Sequence, residues 1–262
     1  MKKNTDLKAF YDGVYKKGEK EHYTYFRLQK GDMPDEFSAV FALMSWEDKD
    51  VMDAGCGTGD MCALISDAGA KSVLGVDFAE SAIEEAQKKY EAPNLKYACI
   101  NVDEIEQTFD VIISNGTLEH MDDPLGTLKA WKEKLNPGGS LIMTSPNWLN
   151  PRGYILQTLW HLFRAPITLA DLHYLTPLNF EEWAKELSMN LEWSTVDREW
   201  GGGMKMVEDF KRRLPNVARD AGWKIPQERI DELLSWLENY SVPFMGDAKQ
   251  EGAVGVYHFK LA

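Results

Sequence analysis

The chain has 262 residues, 44% of them hydrophobic and 27% charged, enough for a sizeable core and without the composition of a disordered segment. Its net charge of −13 opposes phosphate backbones. The densest basic run, Lys211-Arg212-Arg213, is brief and follows Glu208 and Asp209, so nucleic acid is excluded as an expected partner. Cys56, Cys62 and Cys99 offer neither a disulfide framework nor a metal-ligand spacing, and no metal is expected. The polar start lacks the apolar core of a signal peptide, and the most apolar stretch, residues 154–169, is broken by Gln157, His161, Arg164 and Pro166. A cytoplasmic location is the expectation.

In chain order, residues 51–54 read as a first strand and 61–68 as the helix after it. Residues 72–76 form a second strand, 80–90 a helix that stops near Pro93, and 95–100 a third strand. A fourth strand covers 109–114. Asp123-Pro124 opens a helix to Leu135, closed by a Pro137-Gly138-Gly139 turn, and a fifth strand covers 140–145. Apolar strands alternating with helices imply a parallel sheet covered on both faces. Thr176-Pro177 then introduces a helix to Leu187, and residues 191–200 alternate like a strand. After Gly201-Gly202-Gly203, read as a hinge, helices are expected at 206–214, ended by Pro215, and at 227–240. A last strand spans 255–261. The expected fold is α/β, a doubly wound, seven-stranded, mostly parallel sheet with a helical insertion before its last strand. The expected organisation is an N-terminal helical, aromatic lid at 1–40 and a core at 41–203 with a substrate insertion at 148–176. A helical lobe at 204–246 and a closing strand at 247–262 complete it.

Asp53-Ala54-Gly55-Cys56-Gly57-Thr58-Gly59 sits between a strand and a helix. Alternating glycines permit tight turns and close approach to a ligand. Strand two ends in Asp77, where a carboxylate accepts hydrogen bonds from a ribose diol. The order GxGxG differs from the dinucleotide pattern GxGxxG, and Asp53 stands two positions ahead of it. An acid there repels a pyrophosphate but suits an ammonium, as methionine carries. The chemistry favours S-adenosylmethionine.

Three runs carry a family resemblance: the loop just quoted; residues 109–120, ending Asn115-Gly116-Thr117-Leu118-Glu119-His120; and Leu135-Asn136-Pro137-Gly138-Gly139. Together they resemble class I S-adenosylmethionine-dependent methyltransferases of the small-molecule branch. By that resemblance Gly55, Cys56, Gly57 and Gly59 pass beneath the methionine part, with Asp53 toward its ammonium. Asp77 takes the ribose and Phe78 borders the adenine. Asn101 and Val102 flank the adenine edge, although the family often has Asp where Asn101 stands. Ser114, Asn115 and Leu118 line the space beside the sulfonium. Strand-end capping is the alternative for Asn101 and Ser114.

An acceptor oxygen or nitrogen also needs a proton acceptor, and His173 is the preferred candidate, with His120 second. A loop histidine bonded to backbone is the alternative for His173, and a structural role for His120. His22 and His161 read as surface or packing residues. Tyr23 and Tyr25 of the N-terminal segment, with Trp160 and Tyr174, are the candidate acceptor contacts. Leu156, Leu159, Trp160 and Phe163 form one helical stripe, read as core packing or as a substrate wall or membrane-surface contact. The expected activity is methyl transfer to oxygen or nitrogen of a small molecule. The alternatives are a lipid or quinone methyltransferase at a membrane surface and a non-catalytic S-adenosylmethionine-binding subunit. A dimer through the helical lobe is also open.

Overall fold

A computed structural model describes residues 33–168 and 171–261. Its centre is a seven-stranded sheet in the order β3-β2-β1-β4-β5-β7-β6, with β1 Asp50–Ala54, β2 Ser72–Val76, β3 Leu95–Ala98, β4 Phe109–Asn115, β5 Leu135–Pro146, β6 Met189–Val196 and β7 Val254–Leu261. All pairs are parallel except those of β7, which runs antiparallel to both β5 and β6. This is the expected doubly wound, mostly parallel sheet.

The period of two along each strand divides the core. Met52, Ile112, Leu141, Tyr257 and Phe259 face one side, packed with Trp131 of α4 (Pro124–Lys132) and Phe180 of α6 (Pro177–Leu187). Val51, Val111, Ile113, Ile142 and Val256 face the other, packed with Val40 of α1 (Asp35–Phe41) and Met61, Cys62 and Ile65 of α2 (Asp60–Asp67). Burial on both faces is why these strands read as apolar runs. Helix α3 (Glu80–Lys89) links β2 to β3.

The fifth strand differs from expectation. Helix α4 stops at Lys132, and β5 starts at Leu135, so the Pro-Gly-Gly turn lies within the strand as an irregularity opposite Phe109 and Val111. Asn136 Nδ2 donates to Asp110 Oδ1 at 2.9 Å, and Asp110 Oδ2 accepts from the Asp50 N–H at 2.9 Å. That relay ties the irregular start to the sheet.

After β5, helix α5 (Pro151–Phe163) opens with Asn150 capping Gly153 N–H at 2.7 Å. Beyond β6, which ends at Val196 rather than Trp200, come α7 (Arg198–Gly201), α8 (Met204–Asp220) and α9 (Gln227–Trp236). Chain 237–241 widens into a π turn where a plain helix was expected. Pro215 does not end α8. The helix runs on because Val217 and Ala218 are buried beyond it, which offsets a penalty of about 3 kcal/mol for an internal proline. These helices share a core with Trp148 and Leu156 of the 148–176 segment. The three glycines before α8 are packed, not hinge-like: a side chain on Gly201 would strike the Glu251 carbonyl, and one on Gly202 would meet Pro151 at 3.1 Å.

Candidate methyl-donor site

The chain reverses its winding between β1 and β4, where a doubly wound sheet leaves a crevice at its strand ends. The glycine loop leaves β1 there. Gly55, Gly57 and Gly59 have φ of 79°, 52° and 79°, values an L side chain rarely takes. The Gly55 and Cys56 N–H groups donate to the Val76 carbonyl at 2.8 and 3.0 Å, holding the loop to the end of β2. Behind it, a Cβ on Gly55 would lie 2.5 Å from Thr117 Oγ1. Gly59 begins α2, and its carbonyl accepts from the Tyr97 hydroxyl at 3.2 Å.

Asp77 joins this loop to β2. Its Oδ2 accepts from the Gly57 N–H at 3.0 Å and its Oδ1 from the Ala79 N–H at 2.8 Å. A carboxylate has about four acceptor positions, and these two N–H groups take one on each oxygen. Asp53 is buried beneath, 2% exposed. Cys62 Sγ donates to its Oδ2 at 3.3 Å, while Oδ1 has no hydrogen-bond partner among the described residues. Burial, with Asp77 adding repulsion, pushes the Asp53 carboxyl up to about 7 against the opposing Cys62 bond. A bound ammonium would supply both the missing donor and the missing charge.

Above these groups lies a cavity of about 440 Å³. Of the expected donor residues, Gly55, Asp77, Phe78, Asn101, Val102 and Asn115 line it. Gly57 and Gly59 stand behind in the loop, and Cys56 is half-buried, its Sγ 3.8 Å from the Gly57 carbonyl. Ser114 does not line the cavity: fully buried, it donates to the Ala54 carbonyl at 2.7 Å and ties β4 to β1. Leu118 is likewise in the core. Thr117, Met121 and Trp131 also line the cavity and were missed. Thr117 lies within a quoted motif and Met121 directly follows it. Trp131 arrives from α4, and no local pattern marks it.

The acceptor side rearranges the expectations. His173 Nε2 is 2.9 Å from the Met121 carbonyl, and its N–H donates to the Glu119 carbonyl at 3.1 Å, so the side chain pins a loop. His120 is the histidine that lines the cavity. Trp160 and Tyr174 pack edge to face at 5.5 Å, with Trp148 at 5.0 Å from Tyr174, inside the core shared with α8 and α9. Tyr23 and Tyr25 lie outside the described residues. Of the predicted stripe, Leu156 is buried, Leu159 and Trp160 are half-buried, and Phe163 is exposed. Asp209 of α8 holds Arg152 and Arg213 together, at 2.9 and 2.8 Å, beneath α5. Among the described residues no cluster of three or more His, Cys, Asp or Glu can hold a metal, and no helix is long and apolar enough to cross a membrane.

Comparison with known proteins agrees with this fold. Residues 25–192 match the family model described as a methyltransferase domain. A malonyl-[acyl-carrier protein] O-methyltransferase of Acetivibrio thermocellus is 28% identical over 134 residues, covering 50% of this chain and 47% of the relative. A ubiquinone biosynthesis O-methyltransferase of Nitrosospira multiformis is 30% identical over 154 residues, 55% of this chain and 64% of its own. The chain thus spans about half to two thirds of the length of these curated relatives. A Thiobacillus denitrificans S-adenosylmethionine-dependent methyltransferase, solved with S-adenosylhomocysteine, superposes with a TM-score of 0.55 at 19% identity, covering 91% of this chain and 95% of that one. The complex of a Haloferax volcanii Trm112 methyltransferase activator with a putative methyltransferase gives 0.60 at 15% identity, covering 96% and 94%. At such identities these two show the fold.

Proposed function

The chain belongs to the S-adenosylmethionine-dependent methyltransferases, and we propose that it methylates a hydroxyl oxygen of a small molecule. The observation that carries the donor half is the buried Asp53 carboxyl with an unmet acceptor, beneath a positive-φ glycine loop that opens on the cavity. S-adenosylmethionine supplies a methyl group on a sulfonium, a good leaving group that needs little activation. In this reading Asp53 faces the ammonium, Asp77 the ribose hydroxyls, and Phe78, Asn101 and Val102 the adenine. Asn115 and Thr117 border the methionine part. The protein's contribution is alignment and exclusion of water. That the acceptor atom is oxygen rests on the O-methyltransferase relatives, and the choice of a hydroxyl on the ubiquinone-biosynthesis one among them.

The test has two arms. Calorimetry with S-adenosylhomocysteine should show one site. Incubation with S-adenosylmethionine and hydroxylated aromatics such as catechol should yield a methyl ether by mass spectrometry. Absence of donor binding would overturn the reading. Binding without transfer to any component of a metabolite extract would favour a non-catalytic subunit, and an N-methyl product would move the acceptor to an amine.

A further inference from the structure

His120 ends the short turn Leu118–His120 after β4 and lines the donor cavity. Asp171 Oδ1 lies 3.6 Å from its Nδ1, and the two side chains are only 16% and 14% exposed. The pairing is enforced from outside. Leu172 and His173 N–H groups donate to the Glu119 carbonyl at 2.9 and 3.1 Å, while the His173 ring takes the Met121 carbonyl. Residues 171–173 are thereby clasped along residues 119–121, and the clasp sets Asp171 against His120. The separation is longer than a hydrogen bond but short enough for an ion pair once the ring is charged. Catalytic contacts of this kind commonly shorten when a site fills.

The charged groups around the pair are defined. Burial, with Glu119 adding negative potential, pushes the Asp171 carboxyl up to about 7, while His120, Arg213 and Arg152 favour its charged form. Both arginines are engaged by Asp209, so neither is committed to Asp171 alone. Asp77 and Glu104 face the same cavity as His120. Asp171 thus faces the imidazole at the cavity wall, an arrangement that stabilises an imidazolium.

Resting on the hydroxyl-methylation reading, we infer that His120 takes the acceptor's proton and that Asp171 is its positioning residue. In that step the acceptor O–H bond breaks and its electron pair stays on oxygen. A new N–H bond forms at Nε2, and the imidazolium charge is balanced by the Asp171 carboxylate. The ring later returns the proton to water.

The experiment compares wild type, His120→Ala, His120→Gln and Asp171→Asn in the full chain. Catechol and the more acidic nitrocatechol are the acceptors, S-adenosylhomocysteine affinity is the fold control, and the histidine rings are titrated by nitrogen NMR. The His120 variants should lose about 100-fold or more in kcat on catechol, less on nitrocatechol, which ionises without help, and keep donor affinity within about twofold. Asp171→Asn should lower kcat less, and it should shift both the pH midpoint and the His120 titration to lower pH. Wild-type kcat in His120→Ala overturns the base assignment alone. Loss of donor affinity in both His120 variants also overturns it, by making the residue part of the donor site. An unmoved His120 titration in Asp171→Asn removes the positioning role. A wild type that methylates no hydroxylated compound sinks the hydroxyl reading instead.

Discussion

Tyr97 backs Gly59: its hydroxyl donates to the Gly59 carbonyl at 3.2 Å, and a side chain on Gly59 would collide with that same phenol. The first turn of α2 is thus set by a residue of β3, across the sheet edge. Gly59→Ala adds a Cβ at φ 79° and into the ring, so it should destabilise the fold by about 1–3 kcal/mol and weaken S-adenosylhomocysteine binding. Tyr97→Phe keeps the ring and should cost only about 0.5–1.5 kcal/mol. Urea unfolding with calorimetry separates the two, and a Gly59→Ala protein with unchanged donor affinity would remove the loop from the site.

Asp77 has a second load besides the ligand, since it accepts from the Gly57 and Ala79 N–H groups. Asp77→Ala should weaken S-adenosylhomocysteine by about 1.5–3 kcal/mol and should also loosen the loop. Asp77→Asn keeps one acceptor oxygen and should fall between. Equal affinities for all three proteins would take Asp77 out of ligand binding.

Asp53 sets two opposite pH dependences. Its carboxyl is raised to about 7 by burial, so the native chain holds that proton more tightly than the unfolded one. Its contribution to stability is therefore full below the ordinary carboxylate range and is lost as pH rises through about 7. Binding of an ammonium needs the carboxylate, so donor affinity should rise with pH up to about 7 and then level off. Asp53→Asn should flatten both curves, raising the melting temperature at pH 8 while weakening S-adenosylhomocysteine. A variant whose affinity still climbs between pH 6 and 7 would contradict the assignment.

Gly59, Asp77 and Asp53 could be singled out in the sequence because each belongs to a contiguous strand-loop-helix pattern, whereas Tyr97, arriving from β3, could not. The parts that were not legible depend on distant partners. The Asn136-Pro137-Gly138-Gly139 run reads as a turn, yet Asp110 captures Asn136 and draws the segment into β5. Pro215 reads as a helix end, yet buried Val217 carries α8 past it. The family resemblance set Ser114 beside the sulfonium, but its hydroxyl turns to the Ala54 carbonyl of the neighbouring strand. His173 was singled out by its place after β5, and only the clasp with residues 119–121 shows which histidine faces the cavity.

Asp209 is a stability test independent of the donor. Burial pulls its carboxyl upward, but Arg152 and Arg213 outweigh that and hold it below the ordinary range. Its contribution is present at neutral pH and is lost as pH falls through that lowered value. Asp209→Asn leaves two largely buried guanidinium groups without their shared counter-charge and should cost about 3–5 kcal/mol. That corresponds to a fall of roughly 2–4 °C in Tm per kcal/mol for a chain of this size. Differential scanning calorimetry reads it, and an unchanged Tm would mean the arginines find other acceptors.

The order of strands bears on how the chain is made. β6 joins the sheet only through β7, because β7 lies between it and β5. More than fifty residues separate Val196 from Val254, so a ribosome adding roughly 5–20 residues per second leaves β6 unattached for several seconds. During that interval Leu191 and Trp193 lack β7, the strand that places them beside the core. Helices α8 and α9 emerge in the same interval and can pack on α5 before the sheet is complete. Until Val254–Leu261 emerge the β5 edge therefore has no strand to cover it, an exposure that chaperones would be called on to shield.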